Sequence, residues 1–231
     1  MKRKQEKVMK ATWLISALLA LLIAGSASAE SVSATDGDGN TYGAAQGLRV
    51  DFDATPASIA DWTPDLVSGY TYSLDSLSIR TASNSDATPV YLGVYTSFTA
   101  QDFGGIWGGF LGTSDNAINL ASVAAGAWAQ YTFTGKNVTV DSAVGSGSGM
   151  LYFMFQTGTA ALTAAETTRA IQRNNGYPGD PVTGDWLANI VAYGSSVSNR
   201  APEYQAQLTI PEPATMVLMG LGALTLLRKR K

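Results

Sequence analysis

The sequence predicts a mostly β chain, an antiparallel β-sandwich of jelly-roll-like type, with a helical segment at each end. Three observations carry this. Short runs alternate apolar and polar residues, as in Leu48-Arg49-Val50-Asp51-Phe52 and Trp128-Ala129-Gln130-Tyr131-Thr132-Phe133. That is the period of a strand with one face buried. Gly-, Ser- and Asn-rich turns separate the runs, and no long amphipathic helix lies between them. Two strongly apolar stretches, each with cations on its outer side, stand apart from this pattern at the termini.

At the N-terminus, Met1 to Lys10 is basic, Ala11 to Gly25 is apolar, and Ala27-Ser28-Ala29 is small. This is the order of a secretory signal peptide, with Ala27 and Ala29 forming the signal peptidase site and cleavage expected after Ala29. Residues 30–47 are small and polar, and are expected to be a flexible leading segment with tight turns. Asp36, Asp38 and Asn40 have the spacing of the first ligands of a calcium loop. Thr41 stands where that loop needs glycine, and Gly47 where a glutamate should close it, so a solvated turn is expected and no metal site.

The sandwich domain is expected over residues 48–210. Leu48 to Phe52 opens it, and Leu77-Ser78-Ile79-Arg80 repeats the alternation after Tyr70 and Tyr72. Val90 to Tyr95 is β-branched and aromatic, and Val138-Thr139-Val140 follows the run that ends at Phe133. Met150-Leu151-Tyr152-Phe153-Met154-Phe155 is apolar on both faces, which predicts a central strand. Leu162 to Ile171 is read as one short helix. The last strand, Tyr204 to Ile210, puts Tyr204, Ala206, Leu208 and Ile210 on one side and ends directly at Pro211.

Composition excludes several kinds of chemistry. Without cysteine or histidine there is no thiol catalysis, no Ser-His-Asp triad, and no His- or Cys-based zinc or haem site. No cofactor is expected. Residues 30–210 hold six Lys and Arg against sixteen Asp and Glu, a net of −10. Such a surface repels nucleic acid, whose phosphates need cationic partners. Paired carboxylates could still hydrolyse glycosides, but the three glutamates Glu30, Glu166 and Glu203 fall in no motif that sets a pair across a sugar. Asp61-Trp62 and Asp185-Trp186 are sequence neighbours, and neighbours on a strand point to opposite faces. The body is expected to be non-enzymatic.

Binding to polysaccharide is the alternative role. Trp62, Trp107, Trp128 and Trp186 are candidates to stack on sugar rings. The most suggestive stretch is Phe103 to Phe110, where Phe103, Trp107 and Phe110 are interleaved with glycines. Displayed on a flexible loop, these three would touch ligand; folded back, Trp107 would plug one end of the sandwich. Arg169, Arg173 and the polar loop Asn174 to Asp180 are a weaker candidate lining, with a surface turn as the simpler reading.

The C-terminus has three parts. Pro211-Glu212-Pro213 breaks regular structure, Ala214 to Leu227 is apolar, and Arg228, Lys229, Arg230 and Lys231 form a stop-transfer end. The apolar run is 14 residues long, is interrupted by Gly220 and Gly222, and is hydrophobic all round, which favours a membrane segment over a core helix. This tail resembles the PEP-CTERM sorting signal of bacterial surface proteins, including its Pro-Glu-Pro-Ala-Thr opening. The resemblance implies recognition at Pro211, Glu212 and Pro213 by exosortase, a membrane-embedded enzyme, and cleavage nearby. It also implies transient anchoring in the membrane and delivery to the cell surface or extracellular matrix. The body in turn looks like the jelly-roll sandwich of anchored bacterial surface proteins at Tyr72 to Leu77, Val90 to Tyr95, Gly126 to Phe133 and Leu151 to Phe155.

Overall fold

In the computed structural model the described residues are 29–34, 40–52, 66, 69–101, 104–140, 149–174, 188–192 and 201–210. The helices expected at the two ends, the calcium-like spacing at 36–40 apart from Asn40, and Phe103, Trp62 and Trp186 lie outside them. Among the described residues no helix is long and apolar enough to cross a membrane. The strands of the body form two antiparallel sheets, consistent with the expected sandwich.

The first sheet is built on β3 (Thr71–Arg80). One edge of β3 pairs with β12 (Tyr204–Thr209), which in turn pairs with β1 (Ala29–Ala34). β6 (Trp128–Thr132) and β7 (Asn137–Thr139) also pair with β3, along its two ends in turn. In β3, Tyr72, Leu74, Leu77 and Ile79 are all fully buried, although the step from Leu74 to Leu77 breaks strict alternation. The register explains this. Gln207 pairs with Ser76 and Leu208 with Leu74, so Asp75 is an extra residue. A bulge at that point restores the inward phase for the rest of the strand.

The second sheet is centred on β8 (Met150–Gln156), which lies between β2 (Asn40–Asp51) and β4 (Tyr91–Gln101). Its buried run from Leu151 to Gln156 bears out the central strand read from an apolar pattern on both faces. β5 (Gly104–Thr113) closes a hairpin with β4. β9 (Arg169–Asn174) pairs the first half of β2, β10 (Ala188–Ala192) its second half, and β11 (Ala201–Pro202) adds to β9. Between the sheets, the rings of Phe133 and Phe153 meet at 6.0 Å.

Two expectations are corrected. Residues 30–47 are not merely a flexible lead, since β1 and the first half of β2 fall within them. Their small residues suit a strand that others approach closely: a Cβ on Gly47 would meet the Phe153 carbonyl oxygen at 2.0 Å. Leu162 to Ile171 forms no helix, because Arg169, Ile171, Gln172 and Arg173 pair with β2 and this pairing overrides local helix propensity.

Two polar features tie the sheets' connections. Glu203, with a fully buried side chain, pairs with Arg80 at 2.8 Å, and the Arg80 Nε donates to the Gly126 carbonyl at 2.9 Å. Tyr131 and Tyr204 are also fully buried, and burial pushes both phenols above their ordinary range. A phenol raised in the folded state stabilises the protein fully below its unfolded value, and that contribution is lost as pH climbs through the folded value. Stability in urea should therefore decline once pH passes about 10, the ordinary tyrosine value. Phenolate absorbance from these two rings should appear together with unfolding. A titration in which every tyrosine ionises in the folded protein would contradict this.

Candidate functional site

Three regions bear on function: the end of β12, the aromatic hairpin, and a polar cleft. β12 buries Tyr204, Ala206 and Leu208 completely and is hydrogen-bonded on both edges, to β1 and to β3. Its last residue, Thr209, is paired with Ala29, the first residue of β1. The position read as the signal peptidase site and a residue two before Pro211 are therefore direct neighbours across one strand pair. Pro211, Glu212, Pro213 and the cations Arg228 to Lys231 lie outside the described residues, as does Ala27.

The aromatic hairpin is not a displayed loop. Trp107 is 2% exposed, directly opposite Phe98 in the β4–β5 register. Its ring centroid lies 4.9 Å from that of Phe98 and 5.5 Å from that of Tyr95, both in edge-on geometry. Phe110 is partly buried, 5.1 Å from Tyr95. A segment between β8 and β9 is fastened over this cluster. The backbone N–H of Trp107 donates to the Thr163 carbonyl at 3.1 Å, and the backbone N–H of Leu162 donates to the Tyr95 hydroxyl at 3.0 Å. That hydroxyl donates onward to Gln156 Oε1 at 3.1 Å, and burial raises its pKa. Trp107 thus has no open face for a sugar, and the expected contact through it is corrected: it is buried in the cluster with Tyr95, Phe98 and Tyr152. The glycines around it serve close packing instead of flexibility. A Cβ on Gly105 would fall 1.8 Å from the Phe98 ring, and Gly109 holds φ at +67°.

Trp128 lies on the outside of the first sheet, 36% exposed, with the Arg80 guanidinium 5.9 Å from its ring centre. One of its faces is therefore occupied by a cation.

The third region was not singled out as a site by sequence. A cleft of about 580 Å³ opens where the β2–β9 register slips between Tyr42 and Ala45. Gln46, Ser83, Ser85, Asp86, Glu166 and Thr168 are among its lining. Arg169, expected on a polar loop, is instead a buried side chain at the start of β9 that pairs with Asp86 at 3.0 Å. It also donates to the carbonyls of Thr168 and Thr88 and to the Thr167 hydroxyl. The Asp86 carboxyl is held below its ordinary value, first by hydrogen bonds from the Thr88 backbone and hydroxyl and then by Arg169. Asn84 donates to the Ala82 and Ala170 carbonyls and accepts from the Ala170 N–H, so the wall 82–88 is braced against β9. A buried Gln between small residues and an acid beside a later Arg carry no local motif, which is why only the fold brings them together.

Residues 209–231 match the protein family described as the PEP-CTERM protein-sorting motif. The chain carries a PEP-CTERM sorting motif. The match begins at Thr209, the last residue of β12, so the motif starts where the sheet ends. An exported protein with a C-terminal sorting signal for exosortase follows from it. Neither the curated proteins nor the solved structures returned a match to the chain.

Gly105→Ala should destabilise the body by about 1–3 kcal/mol, the range for forcing a methyl group into a packed core. Gly158→Ala, where a Cβ would meet nothing within 4 Å, should stay within about 0.5 kcal/mol of the parent. Urea unfolding of the two variants checks this; equal midpoints would remove the packing role assigned to Gly105.

Proposed function

We propose that the chain is an exported, non-enzymatic protein of the cell surface or extracellular matrix. A signal peptide, removed by signal peptidase after Ala29, takes it across the membrane. The apolar run 214–227 and the cations Arg228 to Lys231 then hold it there transiently. Exosortase recognises Pro211, Glu212 and Pro213 and releases a jelly-roll-like body made for a structural or adhesive role. The observation that carries this reading is the sorting motif beginning at the last residue of the final strand.

The non-enzymatic part is supported by chemistry. Glycoside hydrolysis needs a carboxyl that stays protonated near neutral pH. In the cleft, Asp86 is driven the opposite way by Thr88 and Arg169. Attachment to polysaccharide through aromatics loses its best candidate, since the buried Trp107 presents no face.

The strand pairing adds a physical reason for efficient processing. Pro211 and Pro213 lack N–H donors, and a proline disfavours helical backbone at the residue before it. β12, by contrast, is paired on both edges. A protease that needs an extended, unpaired strand therefore finds none within β12. A Pro211→Ala, Pro213→Ala variant expressed in the native host should accumulate in the membrane fraction at full tail length. Fractionation with an antibody to the body reads this. Release of the variant at the parental rate would reject recognition through the prolines.

A further inference from the structure

We infer that the cleft beside the β2 bulge holds a sugar residue by its hydroxyl groups, without an aromatic platform. The inference goes beyond the delivery role and stands independently of it. The cleft volume of about 580 Å³ falls within the range of small-molecule sites.

The decisive group is Gln46. Gln46 lines the cleft, is 2% exposed, and its carboxamide oxygen has no hydrogen-bond partner among the described residues. Leaving such an oxygen unpaired costs about 1–3 kcal/mol. A ligand hydroxyl that donates to it removes that cost. Other residues that can hydrogen-bond line the same cleft, namely Ser83, Ser85 and Thr168 with their hydroxyls and Glu166 with its carboxylate. A sugar hydroxyl both donates and accepts, so it can satisfy the carboxamide and carboxylate while accepting from serine or threonine.

The other ligand classes fit less well. An anion would meet the carboxylates of Asp86 and Glu166, and the cation beside Asp86, Arg169, is already engaged by it and three further oxygens. No three acidic side chains converge to cage a cation among the described residues. The walls are also preorganised. Asn84 clamps the 82–88 wall to Ala170, and Arg169 clamps both Asp86 and the Thr88 carbonyl. Binding therefore costs little ordering of the protein.

The test uses the exported protein from its native host, isotopically labelled, titrated with glucose, galactose, mannose, N-acetylglucosamine and glucuronic acid. Backbone amide shifts are followed at 83–86 and 165–168. At least one neutral sugar should shift these amides saturably. Gln46→Leu should weaken that binding about tenfold, the loss of one hydrogen bond to a buried group. Its melting temperature should equal or exceed the parent's, because an unpartnered oxygen has left the interior. If Gln46→Leu fails to fold, Ser85→Ala on the exposed rim should weaken binding about threefold with the body intact. Glu166→Gln keeps an acceptor and removes a charge, so sugar binding should survive it. The inference is overturned if no sugar shifts the cleft amides, or if the folded cleft variants bind as the parent does. It is also overturned if calcium or spermidine alone shifts them and Glu166→Gln abolishes that response.

Discussion

The pairing of β12 between β1 and β3 is the constraint on which the first sheet depends. β12 is the last of the described strands, yet it occupies an interior position and brings Tyr204, Ala206 and Leu208 to complete burial. Without it, the apolar faces of Leu74, Leu77 and Ile79 in β3 lose a neighbour, and β1 has nothing to pair with. Long-range pairing of this kind is slow, since the ends must meet across most of the chain. The sheet is therefore complete only after the chain has been laid down as far as Thr209, where the sorting motif begins. Completion of the fold and presentation of the motif are coupled by position.

The second sheet shows how glycine and aromatic residues divide their work. Gly105 lets the Phe98 ring lie against the β5 backbone, and Trp107, two residues on, then fills the space bounded by Tyr95, Phe98 and Tyr152. The segment over this cluster is fixed by a short chain of hydrogen bonds through the Tyr95 hydroxyl and Gln156. Gln156 itself donates to the Gly158 and Ala160 carbonyls, closing the turn after β8. Burial of a polar side chain is tolerated here because its bonds are made.

Much of this fold was legible in the residues. Alternation at Leu48 to Phe52, Trp128 to Phe133 and Tyr204 to Ile210, and the continuous apolar run at Met150 to Phe155, correspond to β2, β6, β12 and β8. What escaped was structure imposed from outside the segment. β5 reads as a glycine loop because close approach by Phe98, a tertiary fact, is what requires its glycines. The start of β9 reads as the end of a helix because its partner in β2 lies more than a hundred residues away. The sorting tail was plain because its signal is local: two prolines, an apolar run and four cations in order. The cleft was not, since Gln46, Asp86, Glu166 and Arg169 become neighbours only through the β2 bulge and the braced 82–88 wall.

The central claim is that a folded body ends at β12 and that everything beyond it serves delivery. The intact mass of the protein recovered from the surface or medium of its native host tests this most directly. The account predicts a chain beginning at Glu30 and ending between Pro211 and Pro213. A mass that still includes the stretch to Lys231, or one that ends inside β12, would contradict it.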